Sequence, residues 1–200
     1  MLIPRPETEV VVDRALVELD RLRSRDRGRA VTVIDLGTGS GAIALSVAFE
    51  RPGVSVWAVD VSADALEVAR SNLAGIGSAA TRVRLAEGSW FEPLPAELRG
   101  SVDLIVSNPP YVAADDDLPD EVRHWEPTGA LIPGPSGREA LDHLVDGAGD
   151  WLADDGVLVV ELAPHQAEGV AERARAQGFA STEIGADLTG RARMVIARRR

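Results

Sequence analysis

Short apolar segments alternate with segments of helical periodicity from residue 31 to the end of the chain. The segments that predict strands are residues 31–36, 54–60, 82–86, 102–107, 157–162, 180–184 and 193–197. The helical segments are residues 41–50, 62 to about 75, 136 to about 152 and 165–177. Because a strand can lie parallel to its predecessor only after a crossover, this alternation predicts βαβ units and a mainly parallel, seven-stranded sheet in an α/β fold.

The first 29 residues follow a different pattern. Residues 1–6 are expected to be extended, residues 7–22 to form an amphipathic helix, and residues 21–29 to be a highly charged linker. The apolar positions of the helix are Val11, Val12, Ala15, Leu16 and Leu19. We therefore expect residues 1–29 to pack on a single domain that residues 30–200 form.

The composition narrows the classes of function. A chain of 200 residues is long enough for a sizeable core, and this one has no cysteine and a net charge of −11. The lack of Cys excludes disulfides, and His124, His143 and His165 lack the spacing of metal ligands, so we predict no metal. An acidic surface disfavours nucleic acid as a partner. The sequence has no membrane-spanning run and no signal-peptide pattern, so we expect no membrane association and a cytoplasmic location.

A glycine-rich turn, Asp35-Leu36-Gly37-Thr38-Gly39-Ser40-Gly41, joins the first strand to the first helix of the alternating region. Ligands bind at this edge of parallel sheets, and glycines let the backbone approach them closely. The spacing is G-x-G-x-G and differs from the G-x-G-x-x-G of dinucleotide sites. The carboxylate of Asp35 is poorly placed for a pyrophosphate and well placed for the cationic group of an amino acid.

A second acidic residue, Asp60, ends the second strand, where a carboxylate can accept two ribose hydroxyls. A ribose, an amino acid and no phosphate together indicate S-adenosylmethionine as the cofactor. Trp90 follows the third strand and is expected to pack on the adenine. The alternative is a tight strand–helix turn with Asp60 as a helix cap, and with Phe91 as an apolar plug under the next loop.

The fourth strand ends in Asn108-Pro109-Pro110-Tyr111. The two prolines stop the strand and stiffen the following turn, which predicts a rigid ledge at the same edge of the sheet. The side-chain carbonyl of Asn108, the main-chain carbonyl of Pro109 and the ring of Tyr111 could together hold a planar –NH₂ group. An ordinary Asn-Pro turn is the alternative.

The segment from residue 112 to 135 is long for a loop in a compact domain, which predicts a lid or a substrate loop. Its Asp115-Asp116-Asp117 run favours a solvated acidic bend over a metal site.

These motifs resemble those of the HemK/PrmC family of protein-(glutamine-N5) methyltransferases, which modify the glutamine in the Gly-Gly-Gln loop of peptide-chain release factors. The resemblance extends over nearly the whole chain. The glycine-rich turn is similar to the family's cofactor motif, and residues 108–111 are similar to its catalytic motif. More specific similarities are residues 2–9, residues 126–127 with 130–131, and residues 187–191.

The resemblance implies the class I S-adenosylmethionine-dependent methyltransferase fold, which is Rossmann-like, with seven mostly parallel strands and an antiparallel C-terminal strand. The residues that it implies for the cofactor are Gly37, Thr38, Gly39, Ser40, Gly41, Asp60, Trp90 and Asn108. It implies catalysis by Asn108, Pro109 and Tyr111, and substrate contacts from Asn108, Pro109, Pro110, Tyr111 and Arg5. Family members usually carry a helical N-terminal domain, and some rely on a small partner, so the resemblance also implies a missing domain or a helper subunit.

Two other functions fit the same residues. An exocyclic amine of adenine or guanine presents a planar –NH₂ group similar to that of a glutamine amide, although the net charge of −11 argues against a nucleic acid substrate. An inactive cofactor-binding scaffold subunit is the other alternative, and the intact ledge at residues 108–111 argues against it. Methylation of a release-factor glutamine remains the leading hypothesis.

Overall fold

The computed structural model describes residues 6–25, 30–114 and 131–200, and in these ranges the chain forms one seven-stranded sheet of order β3-β2-β1-β4-β5-β7-β6. The strands are β1 Val31–Leu36, β2 Val54–Asp60, β3 Val83–Glu87, β4 Val102–Ser107, β5 Leu152–Glu161, β6 Ser181–Ala186 and β7 Ala192–Arg198. Strands β1 to β5 are parallel to one another, and β7 is antiparallel to both β5 and β6. The predicted α/β sheet with an antiparallel C-terminal strand is confirmed.

Helices cover both faces of this sheet. The α-helices of the described ranges are α1 Pro6–Arg25, α2 Ala42–Glu50, α3 Ala63–Leu73, α4 Glu139–Trp151 and α5 Ala167–Ala176. Helices α1 and α2 bury their apolar side chains on one face, and α4 and α5 bury theirs on the other. Because all crossovers return to the same edge, the carboxyl ends of β1, β2, β4 and β5 lie side by side. None of these helices is long and apolar enough to cross a membrane.

The element boundaries differ from the sequence predictions mainly at glycines and at β5. Helix α3 ends at Leu73, as expected before Gly75, but 3₁₀ turns continue to Arg82 and are interrupted only where Gly77 adopts φ 60°. Strand β5 begins at Leu152 and not at residue 157. The register between β4 and β5 shifts near the start of β5, and Asp155 lies in the left-handed region with φ 64°. Pairing therefore resumes across an irregularity that sequence periodicity does not reveal.

Helix α1 is an integral part of the core. Val11, Ala15 and Leu19 are fully buried against the sheet. The carboxylate of Glu18, only 2% exposed, accepts hydrogen bonds from Arg21 at 2.8 Å and from Arg198 of β7 at 2.6 Å. Apolar burial and this ion-pair network fix the helix on the sheet. The first turn of α1 consequently lies at the carboxyl edge, next to the end of β5.

Candidate active site

The glycine-rich turn after β1 is fastened to the end of β2. The backbone N–H groups of Gly37 and Thr38 both donate to the carbonyl oxygen of Val59 at 2.9 Å. The N–H of Gly39 donates to Asp60 Oδ2 at 2.8 Å. Behind the turn, Asn72 Nδ2 of α3 donates to the carbonyl of Ser40 at 3.0 Å. These bonds fix the turn in one conformation, so it is preorganised to receive a ligand.

Gly37, in the glycine-rich turn, lies close to both Asn108 and Trp90. Its φ is +72°, a value that L side chains rarely adopt. A Cβ built at Gly37 would lie 4.0 Å from the main-chain oxygen of Asn108 and 4.0 Å from Cζ3 of Trp90. The glycine-rich turn, the ledge of residues 108–111 and Trp90 therefore face one another, as the sequence predicts.

Asp60 holds two neighbouring loops with its carboxylate. Oδ2 accepts from Gly39 N, and Oδ1 accepts from Ser62 N at 2.9 Å. The cap of α3 is Ser62, whose Oγ accepts from Ala65 N at 3.2 Å, so Asp60 is not needed as the helix cap. Each carboxylate oxygen has two lone pairs, so the partly exposed Asp60 can keep both backbone bonds and still accept hydroxyl donors.

Asp35 is completely enclosed beneath the same turn. Its Oδ2 accepts from Thr38 Oγ1 at 2.6 Å and from Ala44 N at 3.0 Å. Its Oδ1 is buried and has no hydrogen-bond partner among the described residues. Burial raises the pKa of Asp35 to about 7, against the hydrogen bonds from Thr38 and Ala44, which lower it, and with a further increase from the charge of Asp60. A buried carboxylate with an unused oxygen fits a ligand that carries a positive charge.

Replacing Asp35 by asparagine should stabilise the protein in the absence of cofactor. With a pKa of 3.8 in the unfolded chain and about 7 in the folded protein, the carboxyl group destabilises the folded state by about 4 kcal/mol above pH 7, and the penalty fades as the pH falls toward about 4. Asparagine keeps an acceptor for Thr38 and Ala44 but buries an NH₂ group at a cost of about 2 kcal/mol. Urea denaturation should therefore show a gain of about 2 kcal/mol near pH 8 and almost none near pH 5.

The matched control for this measurement is Asp13→Asn, on the exposed side of α1. It should change the free energy of unfolding by no more than about 0.5 kcal/mol. An Asp35→Asn gain that is equal at both pH values, or a loss at pH 8, would contradict the assignment of a destabilising buried charge.

The two aromatic residues after β3, Trp90 and Phe91, lie in different surroundings. Trp90 is half-buried beside Gly37 and adopts φ 47°, a strained value for a bulky residue. Phe91 instead stacks on Trp151 of α4, with ring centroids 5.7 Å apart and an interplanar angle of 10°. Trp90 is therefore available to a ligand, whereas Phe91 is the apolar plug under the loop. Val61, directly after Asp60, is 73% exposed, and the sequence analysis did not single it out.

The ledge of residues 108–111 is bound to two residues that the sequence analysis did not single out as partners. Asn108 Nδ2 donates to Thr8 Oγ1 of α1 at 3.1 Å, and Thr8 Oγ1 donates to Glu161 Oε2 of β5 at 2.9 Å. The hydroxyl of Tyr111 donates to Glu161 Oε1 at 3.1 Å. Asn108 Oδ1 is buried and has no partner within the described residues. The NH₂ group of Asn108 is thus hydrogen-bonded to Thr8, and the side-chain carbonyl oxygen is left as a free acceptor.

The far end of the ledge is held from the 3₁₀ turn that precedes α5. Gln166, only 3% exposed, donates through Nε2 to the carbonyl of Tyr111 at 2.9 Å and to that of Gly137 at 3.1 Å. A Cβ at Gly137 would come within 2.8 Å of the Tyr111 oxygen, so only glycine fits at this close approach. The Pro109-Pro110 turn is therefore rigid both because of its own rings and because of its neighbours.

One of these missed residues carries a signal in the sequence. Glu161 is a carboxylate within the apolar run 157–162, and a charge in a buried strand usually has a specific partner. Gln166 follows that strand in a 3₁₀ turn. Thr8 lies within residues 2–9, whose resemblance to the family implies a place near the pocket, but its position between two glutamates at a helix start does not indicate which side chains it contacts.

Some predicted features lie outside the described residues. These are Arg5 and most of the predicted lid, including Asp115, Asp116 and Asp117. Within the described ranges, no group of three or more His, Asp or Glu side chains has the geometry to hold a metal ion.

The strand order, with its antiparallel last strand, is that of the class I methyltransferase fold. Residues 14–124 match the family described as "Methyltransferase small domain", which is more than half of the chain. The structure also resembles the ribosomal protein L11 methylase of Lactobacillus delbrueckii subsp. bulgaricus, with a TM-score of 0.62 over 100% of this chain and 80% of that one. At 20% sequence identity, this similarity concerns the fold alone.

Closer relatives share a more specific name. The release factor glutamine methyltransferase of Moorella thermoacetica is 43% identical over 204 residues, covering 100% of this chain and 68% of the relative. That of Cereibacter sphaeroides is 42% identical, covering 98% and 66%. A crystal structure of the release factor-specific protein-(glutamine-N5) methyltransferase of Alicyclobacillus acidocaldarius is 29% identical, with a TM-score of 0.58 over 98% of this chain and 94% of that one. The chain belongs to the release factor glutamine methyltransferase family, and it spans about two thirds of the length of the curated relatives.

Proposed function

We propose that this protein transfers a methyl group from S-adenosylmethionine to the side-chain nitrogen N5 of a protein glutamine, in the Gly-Gly-Gln loop of a peptide-chain release factor. The observation that supports this most directly is the unpartnered, buried Oδ1 of Asn108 at the start of a rigid ledge. A primary amide needs two acceptors for its two N–H bonds. Asn108 Oδ1 and the main-chain carbonyl of Pro109 supply such a pair.

The ledge addresses the weak nucleophilicity of an amide nitrogen, whose lone pair is delocalised into its carbonyl. Two acceptors that hold both N–H bonds orient the nitrogen and stabilise the positive charge that develops on it during attack. Tyr111, fixed through its hydroxyl to Glu161, stacks on the amide plane. Because the attacked nitrogen becomes far more acidic once it is methylated, its proton leaves without a dedicated general base.

The cofactor supplies an electrophilic methyl group on a sulfonium ion when it is bound. We assign its ribose hydroxyls to Asp60, its adenine to Trp90, and its amino-acid ammonium to the glycine-rich turn above Asp35, where the buried carboxylate attracts a positive charge. The turn at Gly37, Thr38, Gly39, Ser40 and Gly41 carries the backbone that comes close to it. The enclosed carboxylate of Asp35 favours a cationic group over a phosphate.

The proposed partner is a release factor, brought to the site in the cytoplasm. The residues proposed for methyl transfer lie at the carboxyl edge of the sheet. We propose that a further domain or a small helper subunit assists docking, because the relatives are longer than this chain.

The test is methyl transfer from labelled S-adenosylmethionine to a purified release factor, followed by mass spectrometry of the peptide that contains the Gly-Gly-Gln loop. We expect one methyl group on that glutamine and none on a substrate whose glutamine is replaced by alanine. Label in ribosomal RNA or DNA, and not in the release factor, would instead favour an exocyclic amine as acceptor. Cofactor binding with label in no substrate, even with a helper subunit added, would favour a scaffold.

A further inference from the structure

We propose that Thr8 and Glu161 act as positioning residues, which set the side-chain amide of Asn108 so that its oxygen faces the methyl acceptor. The proposal deepens the proposed function, since it explains how the ledge keeps its acceptor available. It rests on three side chains that meet in one cluster: Thr8 from α1, Asn108 from the ledge after β4, and Glu161 from the end of β5. Neither Thr8 nor Glu161 is needed to touch the substrate.

The orientation follows from the number of protons in the cluster. The hydroxyl of Thr8 lies 2.9 Å from Glu161 Oε2 and 3.1 Å from the amide of Asn108. An ionised carboxylate can only accept, so the single proton of the hydroxyl must go to Glu161. The hydroxyl oxygen can then only accept from Asn108, which forces Nδ2 toward Thr8 and leaves Oδ1 without a partner.

The other oxygen of Glu161 is consistent with the charged form. Oε1 accepts from the hydroxyl of Tyr111 at 3.1 Å, so both carboxylate oxygens accept from hydroxyl groups. Glu161 directly follows Val160, which pairs with Ser107, and Asn108 directly follows Ser107. The two side chains therefore extend from adjacent ends of neighbouring strands, and the hydroxyl of Thr8 from α1 connects them.

A neutral Glu161 removes the constraint. The protonated carboxyl group can donate to Thr8, whose hydroxyl proton is then free to bond to Asn108 Oδ1. The amide of Asn108 would rotate by half a turn and present its NH₂ group to the substrate amide, donor against donor. Such an orientation repels the acceptor nitrogen and cannot support the reaction.

The charged and polar groups around Glu161 come from each element that packs on it. Thr8 and Glu7 belong to α1, Tyr111 to the ledge, and Arg193 to β7. Burial raises the pKa of Glu161, the bonds from Thr8 and Tyr111 and the charge of Arg193 lower it, and the charge of Glu7 raises it, with a net upward shift. Deprotonation of Glu161, and with it the active orientation, therefore requires a higher pH than for an ordinary glutamate.

The decisive variant is Glu161→Gln, which keeps the size of the side chain, removes its charge and introduces an NH₂ group that can donate to Thr8, as the protonated carboxyl group does. We expect kcat to fall at least about tenfold while the cofactor Kd stays within about threefold, because a hydrogen bond to the reacting group is lost and the cofactor contacts are not. The melting temperature should stay the same or rise, since a buried charge has been removed. A purely structural tether would instead lose stability and activity together.

Two further variants test the hydroxyl of Thr8. Thr8→Val should lower kcat to a similar extent, and Thr8→Ser should recover most of the loss. The matched control is Glu9→Ala, on the exposed side of the same helical turn, where no loss is expected. The double variant Thr8→Val with Glu161→Gln should be no worse than the more impaired single variant, because both act through one amide.

Two pH titrations complete the test. Wild-type kcat should fall as Glu161 becomes protonated at low pH, and Glu161→Gln should lack this inflection. In ¹⁵N spectra without substrate, the side-chain NH₂ resonances of Asn108, assigned by their loss in Asn108→Ala, should titrate in wild type and not in Glu161→Gln. Turnover of Glu161→Gln within about threefold of wild type, or Asn108 resonances that do not respond to Glu161, would overturn the proposal. If wild type methylates no release factor, the proposed function fails, and the NMR titration still decides the orientation.

Discussion

Asn108→Ala should lower kcat by about a hundredfold to a thousandfold, the largest effect that we expect from any single substitution. The variant removes one of the two proposed acceptors for the substrate amide, on whose nitrogen positive charge develops in the transition state. A preorganised bond of this kind contributes about 3 to 4 kcal/mol to the stability of a transition state. Steady-state kinetics with a release factor at saturating cofactor measures the effect, and calorimetry should show that the cofactor still binds.

Asn72→Ala is the matched control, because it deletes the same side chain from the support of the glycine-rich turn. We expect it to weaken cofactor binding severalfold and to leave kcat at saturating cofactor within about threefold. The opposite pattern, with kcat retained in Asn108→Ala and lost in Asn72→Ala, would show that the ledge does not hold the methyl acceptor.

Asp60→Ala should raise the cofactor Kd by about a hundredfold or more. Its carboxylate is the proposed acceptor for two ribose hydroxyls, and hydrogen bonds to a charged group contribute about 1.5 to 3 kcal/mol each. The variant also frees the N–H groups of Gly39 and Ser62, so the glycine-rich turn loses part of its support. Isothermal titration calorimetry with S-adenosylmethionine measures the loss directly.

The comparison for Asp60 is Glu67→Ala, which removes an exposed carboxylate from α3. It should leave the Kd unchanged within about twofold and so exclude a general effect of net charge. Cofactor binding by Asp60→Ala that is as tight as that of the control would refute the ribose assignment.

The strands and the ledge were predictable because each depends on a short run of consecutive residues. Strands β1, β2 and β4 have the predicted bounds, and Asp60 and Asn108 stand at their carboxyl ends, where a parallel sheet brings them to one edge. Hydrophobic periodicity and the two prolines were sufficient for this. The start of β5 was not predictable in the same way, because the residues before Gly156 pair through a register shift that depends on tertiary contacts.

The hydrogen bonds that hold the ledge could not be predicted, for a different reason. Thr8 and Glu161 are separated by 153 positions, and Asn108 and Thr8 by 100, so no local pattern links them. Only the packing of α1 across the sheet brings them together. The sequence indicated Asn108 as the proposed acceptor for the substrate amide, but it could not show which residues orient that side chain.

Thr8 belongs to the first turn of α1, and the first turn of a helix is where its hydrogen bonding is weakest and where it frays most readily. Under the proposed arrangement, the orientation of the reactive amide depends on the closure of that turn. Local unwinding of α1 would release Asn108 while the seven strands remain paired. Catalytic competence in this protein is then governed by a local opening equilibrium, which has a smaller free energy than the unfolding of the sheet.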